Sequence, residues 1–310
     1  MKETINILCA TDDNYVPYCG IMLTSVFENN KDAVVNVFVI IDKPLTIANI
    51  AKFKELEKKY DASIQFLLID TKLFEEWPLP ENSHFTKAVY YRLAAAELIP
   101  HNVSRVLYLD CDIVVNAPLA DLYDVNLSNN STAVVDDMCS GINSNFSRLK
   151  YAPELRYFNS GMLLINLDYW RKHDIFSRFK NYVCYYRERI LWPDQDVLNA
   201  VLLDSKLHVG IEWNYQMGFL KQSYFDILQS RIQKEVLSAN PKIIHYNQSK
   251  PWCVAYYNLP YNREWHQYKR MSPWKNMNDT YPPHKKFNYF IKRWLLWPLG
   301  LMIKTDTIKR

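Results

Sequence analysis

Glycine is scarce in this chain, with six in 310 residues, and neither G-x-G-x-x-G nor G-x-x-x-x-G-K-[ST] occurs. A dinucleotide-binding fingerprint and a P-loop are therefore unsupported. The six cysteines, Cys9, Cys19, Cys111, Cys139, Cys184 and Cys253, form no C-x-x-C pair, so zinc and dithiol redox chemistry have no signature and the thiols read as reduced and mostly buried. There is no internal repeat and no low-complexity linker. The N-terminal Met-Lys-Glu-Thr runs into a strand-like stretch at 5–11, without the basic and apolar regions of a leader, and the expectation is a cytoplasmic protein.

A basic face for nucleic acid is missing as well. The net charge is +4, but residues 285–310 hold seven basic side chains and one acid, a balance of +6, and the other 284 residues hold 30 basic and 32 acidic ones, a balance of −2. No nucleic-acid partner is expected. What the chain has in excess is aromatic rings, 15% of residues with 22 Tyr and 9 Trp. Such a content suits stacking on sugars, bases or a membrane interface, and suits a ring-filled core equally.

Apolar runs rich in β-branched residues recur at 5–11, 34–42, 62–70, 105–110 and 132–136, with helix-like segments at 16–28, 47–60 and 86–98 between the first four. The alternation predicts an α/β protein with a mostly parallel sheet flanked by helices. Further on, 157–167 and 242–246 read as strands and 170–187 and 195–203 as helices. One domain with a C-terminal extension is the simplest organisation.

Three strand ends carry candidate chemistry. Arg105-Val-Leu-Tyr-Leu-Asp110-Cys-Asp112 is an apolar strand ending in two carboxylates, placed where an open α/β sheet binds ligands and able to hold a hard divalent cation with its phosphates. A surface turn is the alternative. Ala10-Thr-Asp12-Asp13-Asn14-Tyr15 offers an acceptor for a uracil imide and a ring for stacking, and serves as well as a helix N-cap. His245-Tyr-Asn-Gln-Ser-Lys250-Pro-Trp252 supplies a nitrogen ligand and a cation for a leaving diphosphate, although most single histidines are structural. Tyr157-Phe-Asn159-Ser-Gly161 and Trp192-Pro-Asp194-Gln195-Asp196-Val-Leu-Asn199 read equally well as a core strand and a capped helix start.

Together and in this order, the five motifs resemble glycosyltransferase family 8 over residues 5–255, most nearly its bacterial lipopolysaccharide and lipooligosaccharide hexosyltransferases of the α-galactosyltransferase kind. The resemblance implies a GT-A fold, a Rossmann-like nucleotide-binding sheet in one domain. It implies an enzyme that moves galactose or glucose from a UDP-sugar to a carbohydrate or glycolipid acceptor, with retention, using Mn²⁺ or Mg²⁺ in its place. Carried onto this chain, Asp110, Asp112 and His245 are the metal ligands, and Ala10, Asp12, Asn14 and Tyr15 form the uridine pocket. Arg92, in Tyr91-Arg-Leu, lies near the donor, Asn159 and Asp194 hold its sugar, Lys250 meets the diphosphate, and Gln195 falls beneath the anomeric carbon. The family pattern has one more residue between the histidine and the lysine, a glycine among them, where this chain has Asn247-Gln-Ser.

Two other classes remain. A sugar-nucleotide nucleotidyltransferase also uses acidic metal ligands on an α/β sheet, but the glycine- and arginine-rich triphosphate loop is absent. A non-catalytic carbohydrate-binding protein has only the aromatic content in its favour. The catalytic domain is placed at 1–270. Residues 271–310 are expected to form a membrane-associating extension, because tryptophans and lysines flank the uncharged run 294–303, which is shorter than the roughly 20 residues a span requires. The expected location is the cytoplasmic face of the inner membrane, against anionic lipid.

Overall fold

The computed structural model describes residues 3–81, 85–254, 259–280 and 308. Its main sheet contains β1 (Thr4–Ala10), β2 (Val34–Ile41), β3 (Ser63–Leu68), β4 (Arg105–Leu109), β6 (Thr132–Asp136), β7 (Phe158–Asn166) and β8 (Lys206–His208) in the order β3-β2-β1-β4-β7-β6-β8. Within it β7 alone runs against its neighbours. A second sheet, β5-β10-β9, is built from β5 (Ile113–Val115), β9 (Tyr215–Gln216) and β10 (Ile243–His245). The expected α/β architecture is what the chain adopts.

The sheet forms where it does because its strands carry apolar side chains on both faces. Ile5, Ile7 and Cys9 of β1, Val35, Val37 and Val39 of β2, and Leu107 and Leu109 of β4 enter one core. Leu8, Phe38, Ile40, Val106 and Tyr108, at alternate positions, enter another on the opposite face. The first core is covered by α1 (Val16–Asn29), α2 (Ile47–Tyr60) and the small sheet with α4 (Ala120–Tyr123), α9 (Gln222–Phe225), α10 (Ser230–Ser238) and α11 (Asn262–Met271). The second is covered by α3 (Ala95–Leu98), α6 (Leu167–Lys172), α7 (Ile175–Tyr185) and α8 (Pro193–Val201). The short helix α5 (Asn143–Leu149) carries a minor cluster of its own.

Two predicted helices are corrected. The segment expected as one helix over 86–98 is a 3₁₀ turn at Lys87–Ala94 followed by the single turn α3. Residues three apart eclipse in 3₁₀ geometry, and Val89 and Arg92 thereby reach the same cleft. The helix expected over 170–187 is broken in two at Asp174, whose φ of 46° places it in the left-handed region.

Residues 272–280 pack onto the catalytic body. Trp274 is buried and lies where a Cβ on Gly20 would stand, 1.9 Å from its ring carbon Cζ3, so a glycine is required in the middle of α1. Thr280 N–H donates to Trp252 C=O (2.8 Å), and Val254 N–H donates to Thr280 C=O (3.1 Å). The basic run read as a membrane-associating tail lies outside the described residues apart from Ile308. That residue donates its N–H to Leu220 C=O (2.8 Å) and packs against the first core.

Candidate active site

Strand β4 ends at Leu109, and the chain turns through Asp110, Cys111 and Asp112 into β5, so the acidic pair forms the corner between the two sheets. Antiparallel pairing of β5 with β10 sets His245 opposite Ile113, which carries the imidazole back to that corner. One ligand atom from each of Asp110, Asp112 and His245 lies within 4.8 Å of the others. His245 Nε2 is 3.3 Å from Asp112 Oδ1 and 3.8 Å from Asp110 Oδ2. The cluster closes tightly because β7 presents Gly161 against it: a Cβ there would stand 2.3 Å from His245 Cε1 and 2.8 Å from Asp110 Oδ2. Two carboxylates and one ring nitrogen converging on a single point fit a divalent cation that accepts mixed oxygen and nitrogen donors.

Charged neighbours hold this corner in place. Lys250, 138 residues beyond Asp112, pairs with its carboxylate. Burial acts to raise the Asp112 pKa, but Lys250 and His245 outweigh it and hold the group well below the usual carboxylate range. Arg92 is buried and bridges two acids, with Nη2 2.9 Å from Asp110 Oδ1 and Nε 3.2 Å from Asp194 Oδ2. Its Nη1 donates to Ser160 C=O (2.7 Å), and its guanidinium stacks 4.3 Å from the Tyr108 ring centroid. Burial pushes the Asp194 carboxyl upward against the opposing effect of Arg92.

The corner separates two lobes of one cleft. The first, about 280 Å³, is lined by Ala10, Asp12, Tyr15, Tyr108 and Asp110 among others. Asp12 Oδ1 accepts from the N–H groups of Asn14 (2.9 Å) and Tyr15 (2.8 Å), so it also shapes the turn into α1. Asn14 is exposed and is absent from the lining. Tyr15 meets Trp252 edge-on, while Tyr18 stacks on Trp252 with centroids 3.9 Å apart.

The second lobe, about 290 Å³, is lined by Asn159, Asp194, Gln195, Asp137, Trp192 and Tyr224 among others. Asn159 Nδ2 donates to Asp137 Oδ2 (2.9 Å) and to Gln195 Oε1 (3.1 Å), and Ser160 N–H donates to the same Gln195 oxygen (3.1 Å). Asp196 points away from the lobe. It is fully buried and accepts from Arg148, Tyr157 OH and the N–H groups of Leu191 and Trp192. The loop at 247–249 is held from the facing segment, with Gly218 N–H donating to Asn247 (3.4 Å) and Lys221 Nζ to Gln248 (3.2 Å).

Two polar residues of this site escaped the sequence reading. Asp137 follows β6 and accepts from Cys139 N–H (2.7 Å) as well as from Asn159; an apolar strand ending in Asp136-Asp137 is the same signal that singled out Asp110. Asn214 sits on a 3₁₀ turn, Ile211–Asn214, that no periodicity announces.

A mostly parallel sheet that turns at an acidic pair, with a histidine returned beside it and a two-lobed cleft above, is the arrangement of the GT-A class of glycosyltransferases. The chain belongs to glycosyl transferase family 8, whose profile matches residues 6–254. General stress protein A of Bacillus subtilis is 30% identical over 283 residues, covering 89% of this chain and 97% of that protein. A lipopolysaccharide 1,2-glucosyltransferase of Escherichia coli is 29% identical over 292 residues, covering 92% and 82%. Among solved structures, the galactosyltransferase LgtC superposes with a TM-score of 0.76 at 24% identity, covering 91% of this chain and 99% of that one.

Proposed function

We propose that the protein transfers galactose or glucose from a UDP-sugar to a carbohydrate acceptor with retention of anomeric configuration, using Mn²⁺, with Mg²⁺ as a weaker substitute. The observation that carries the reading is the Asp110–Asp112–His245 corner standing between a lobe with an aromatic wall and a lobe of sugar size into which Asn159, Asp194 and Gln195 face. Uridine suits the first lobe, through Asp12 and Tyr15, and the hexose suits the second, through Asn159 and Asp194. The E. coli relative, and a Salmonella typhimurium relative named lipopolysaccharide 1,3-galactosyltransferase (28% identical over 282 residues), favour a lipopolysaccharide core or another cell-surface glycan as acceptor.

A divalent cation held by Asp110, Asp112 and His245 would supply electrostatic stabilisation of the leaving diphosphate. Lys250 lines both lobes and adds a fixed positive charge where the negative charge of UDP grows. Retention requires a nucleophile beneath the ring or attack by the acceptor on the face that UDP leaves. The Gln195 carbonyl oxygen accepts from Asn159 Nδ2 and Ser160 N–H, and its NH₂ lies toward Asp137 and Tyr157. Asp194 is paired with Arg92, Asp196 is sealed, and both Asp137 oxygens accept hydrogen bonds. These engagements favour front-face attack, with the donor phosphate accepting the acceptor hydroxyl's proton.

Incubation with radiolabelled UDP-galactose and UDP-glucose in Mn²⁺ tests the assignment without the acceptor. Slow release of free hexose and UDP is expected from at least one of them. Release from neither would sink the transferase reading in favour of a binding protein.

The tail belongs to the same proposal. Tryptophans and basic residues suit an interface of anionic lipid, and the Ile308–Leu220 hydrogen bond favours a tail held on the catalytic body instead. Among the described residues no helix is long and apolar enough to cross a membrane. Full-length protein is expected to co-sediment with anionic liposomes at low salt, and a chain ending at Tyr281 to stay folded and remain in the supernatant. Full-length protein that ignores the liposomes decides for the docked tail.

A further inference from the structure

We infer that Asn214 is a positioning residue that holds a hydrogen on Nδ1 of the His245 imidazole and turns Nε2 toward Asp110 and Asp112. It acts as one link in a chain of amides that ties the metal corner to the sugar lobe, and the inference rests on the metal-site reading above.

The polarity of the chain is set at one end by a group with no alternative. The Gly161 backbone N–H can only donate, and it donates to Asn159 Oδ1 (3.0 Å). Asn214 approaches that same oxygen at 2.9 Å and must therefore present its NH₂. An amide that turns its nitrogen toward Asn159 turns its oxygen the other way, and that oxygen lies 3.0 Å from His245 Nδ1. A carbonyl oxygen only accepts, so Nδ1 carries the hydrogen.

Nε2 is then the ring nitrogen turned to the corner, 3.3 Å from Asp112 Oδ1. Two carboxylate oxygens and Nε2 then converge, the arrangement that a metal-bound histidine needs and that its partner at the other nitrogen maintains. Asn214 is fully buried and His245 and Asn159 nearly so, so bulk water does not compete for these bonds. In the other direction, the Asn159 NH₂ serves Asp137 and Gln195. The Gly161 and Ser160 N–H groups thus order both the ring nitrogen that His245 turns to the corner and the Gln195 amide.

The test uses the full chain without donor. Long-range proton–nitrogen correlation spectra of histidine-labelled wild-type protein are expected to place the His245 hydrogen on Nδ1, and electron paramagnetic resonance of free Mn²⁺ gives the affinity. Asn214→Leu removes both hydrogen bonds and is expected to weaken Mn²⁺ binding about ten- to a hundredfold. Asn214→Asp keeps an acceptor for Nδ1–H but sets a second oxygen against Asn159 Oδ1, and is expected to recover part of that loss, a rescue that a merely space-filling residue would not produce. An Nδ1 that carries no hydrogen in the wild type overturns the inference even if Asn214→Leu does not fold, as does a folded Asn214→Leu that binds Mn²⁺ normally. Wild-type protein that binds no Mn²⁺ overturns the metal reading instead, and the spectra then decide the tautomer separately.

Discussion

Asp112→Asn is expected to abolish hexose transfer while leaving the protein folded. Asparagine keeps the shape of the aspartate but removes the charge that His245 and Lys250 surround. Loss of a cation held there would withdraw several kcal/mol of transition-state stabilisation, at least about a thousandfold in rate. Wild-type activity should vanish in EDTA and return with Mn²⁺ more fully than with Ca²⁺, because a site with an imidazole donor suits a transition ion better than a cation that prefers oxygen alone. Circular dichroism checks the fold and donor hydrolysis checks the rate. Undiminished wild-type turnover in EDTA would remove the metal from the account.

Arg92→Met should cost stability as well as activity. The guanidinium is buried between Asp110 and Asp194, and removing one partner of a buried ionic network leaves uncompensated charge, at about 3–5 kcal/mol. Arg92→Lys should fall between, because a single ammonium does not reproduce a planar fork that reaches both acids and Ser160 C=O. The pH dependence has a definite sign. Burial raises the folded-state pKa of Asp194 even with Arg92 present, so this carboxyl opposes folding at neutral pH and stops doing so as pH falls and it protonates. Without Arg92 the opposition grows, and the deficit in melting temperature relative to wild type should shrink toward acid pH. A deficit that is constant or widens on acidification would mean that the two carboxylates are not what destabilises the variant.

Much of the main sheet was legible in the chain. β1, β2, β4 and β6 are short apolar runs, and such runs form strands wherever a sheet is covered on both faces. The acidic pair at Asp110 and Asp112 was readable because ligands collect at the carboxyl ends of such strands. The 3₁₀ turn at Lys87–Ala94 was not, since its apolar spacing also fits an α-helix and only the need to aim Val89 and Arg92 into one cleft separates the two. Asp12 carried two readings in the sequence, and its hydrogen bonds to Asn14 and Tyr15 add the turn-forming one without removing it from the cleft.

The sequence by itself determined the fold class, the five motifs and the residue types able to hold a cation and a diphosphate. These follow from local properties: the period of the apolar residues, the residue at a strand's end and the identity of a side chain. Tertiary structure decided which of those groups are at liberty to act. The sequence shows Asp194 and Asp196 as equivalent neighbours, but one side chain reaches Arg92 at the cleft and the other is sealed against Arg148 and Tyr157. It leaves Gln195 an amide with two possible faces, and hydrogen bonds from Asn159 and Ser160 N–H choose one. Burial and hydrogen-bond polarity belong to groups distant along the chain, and they acquire values only when the sheets bring those groups together.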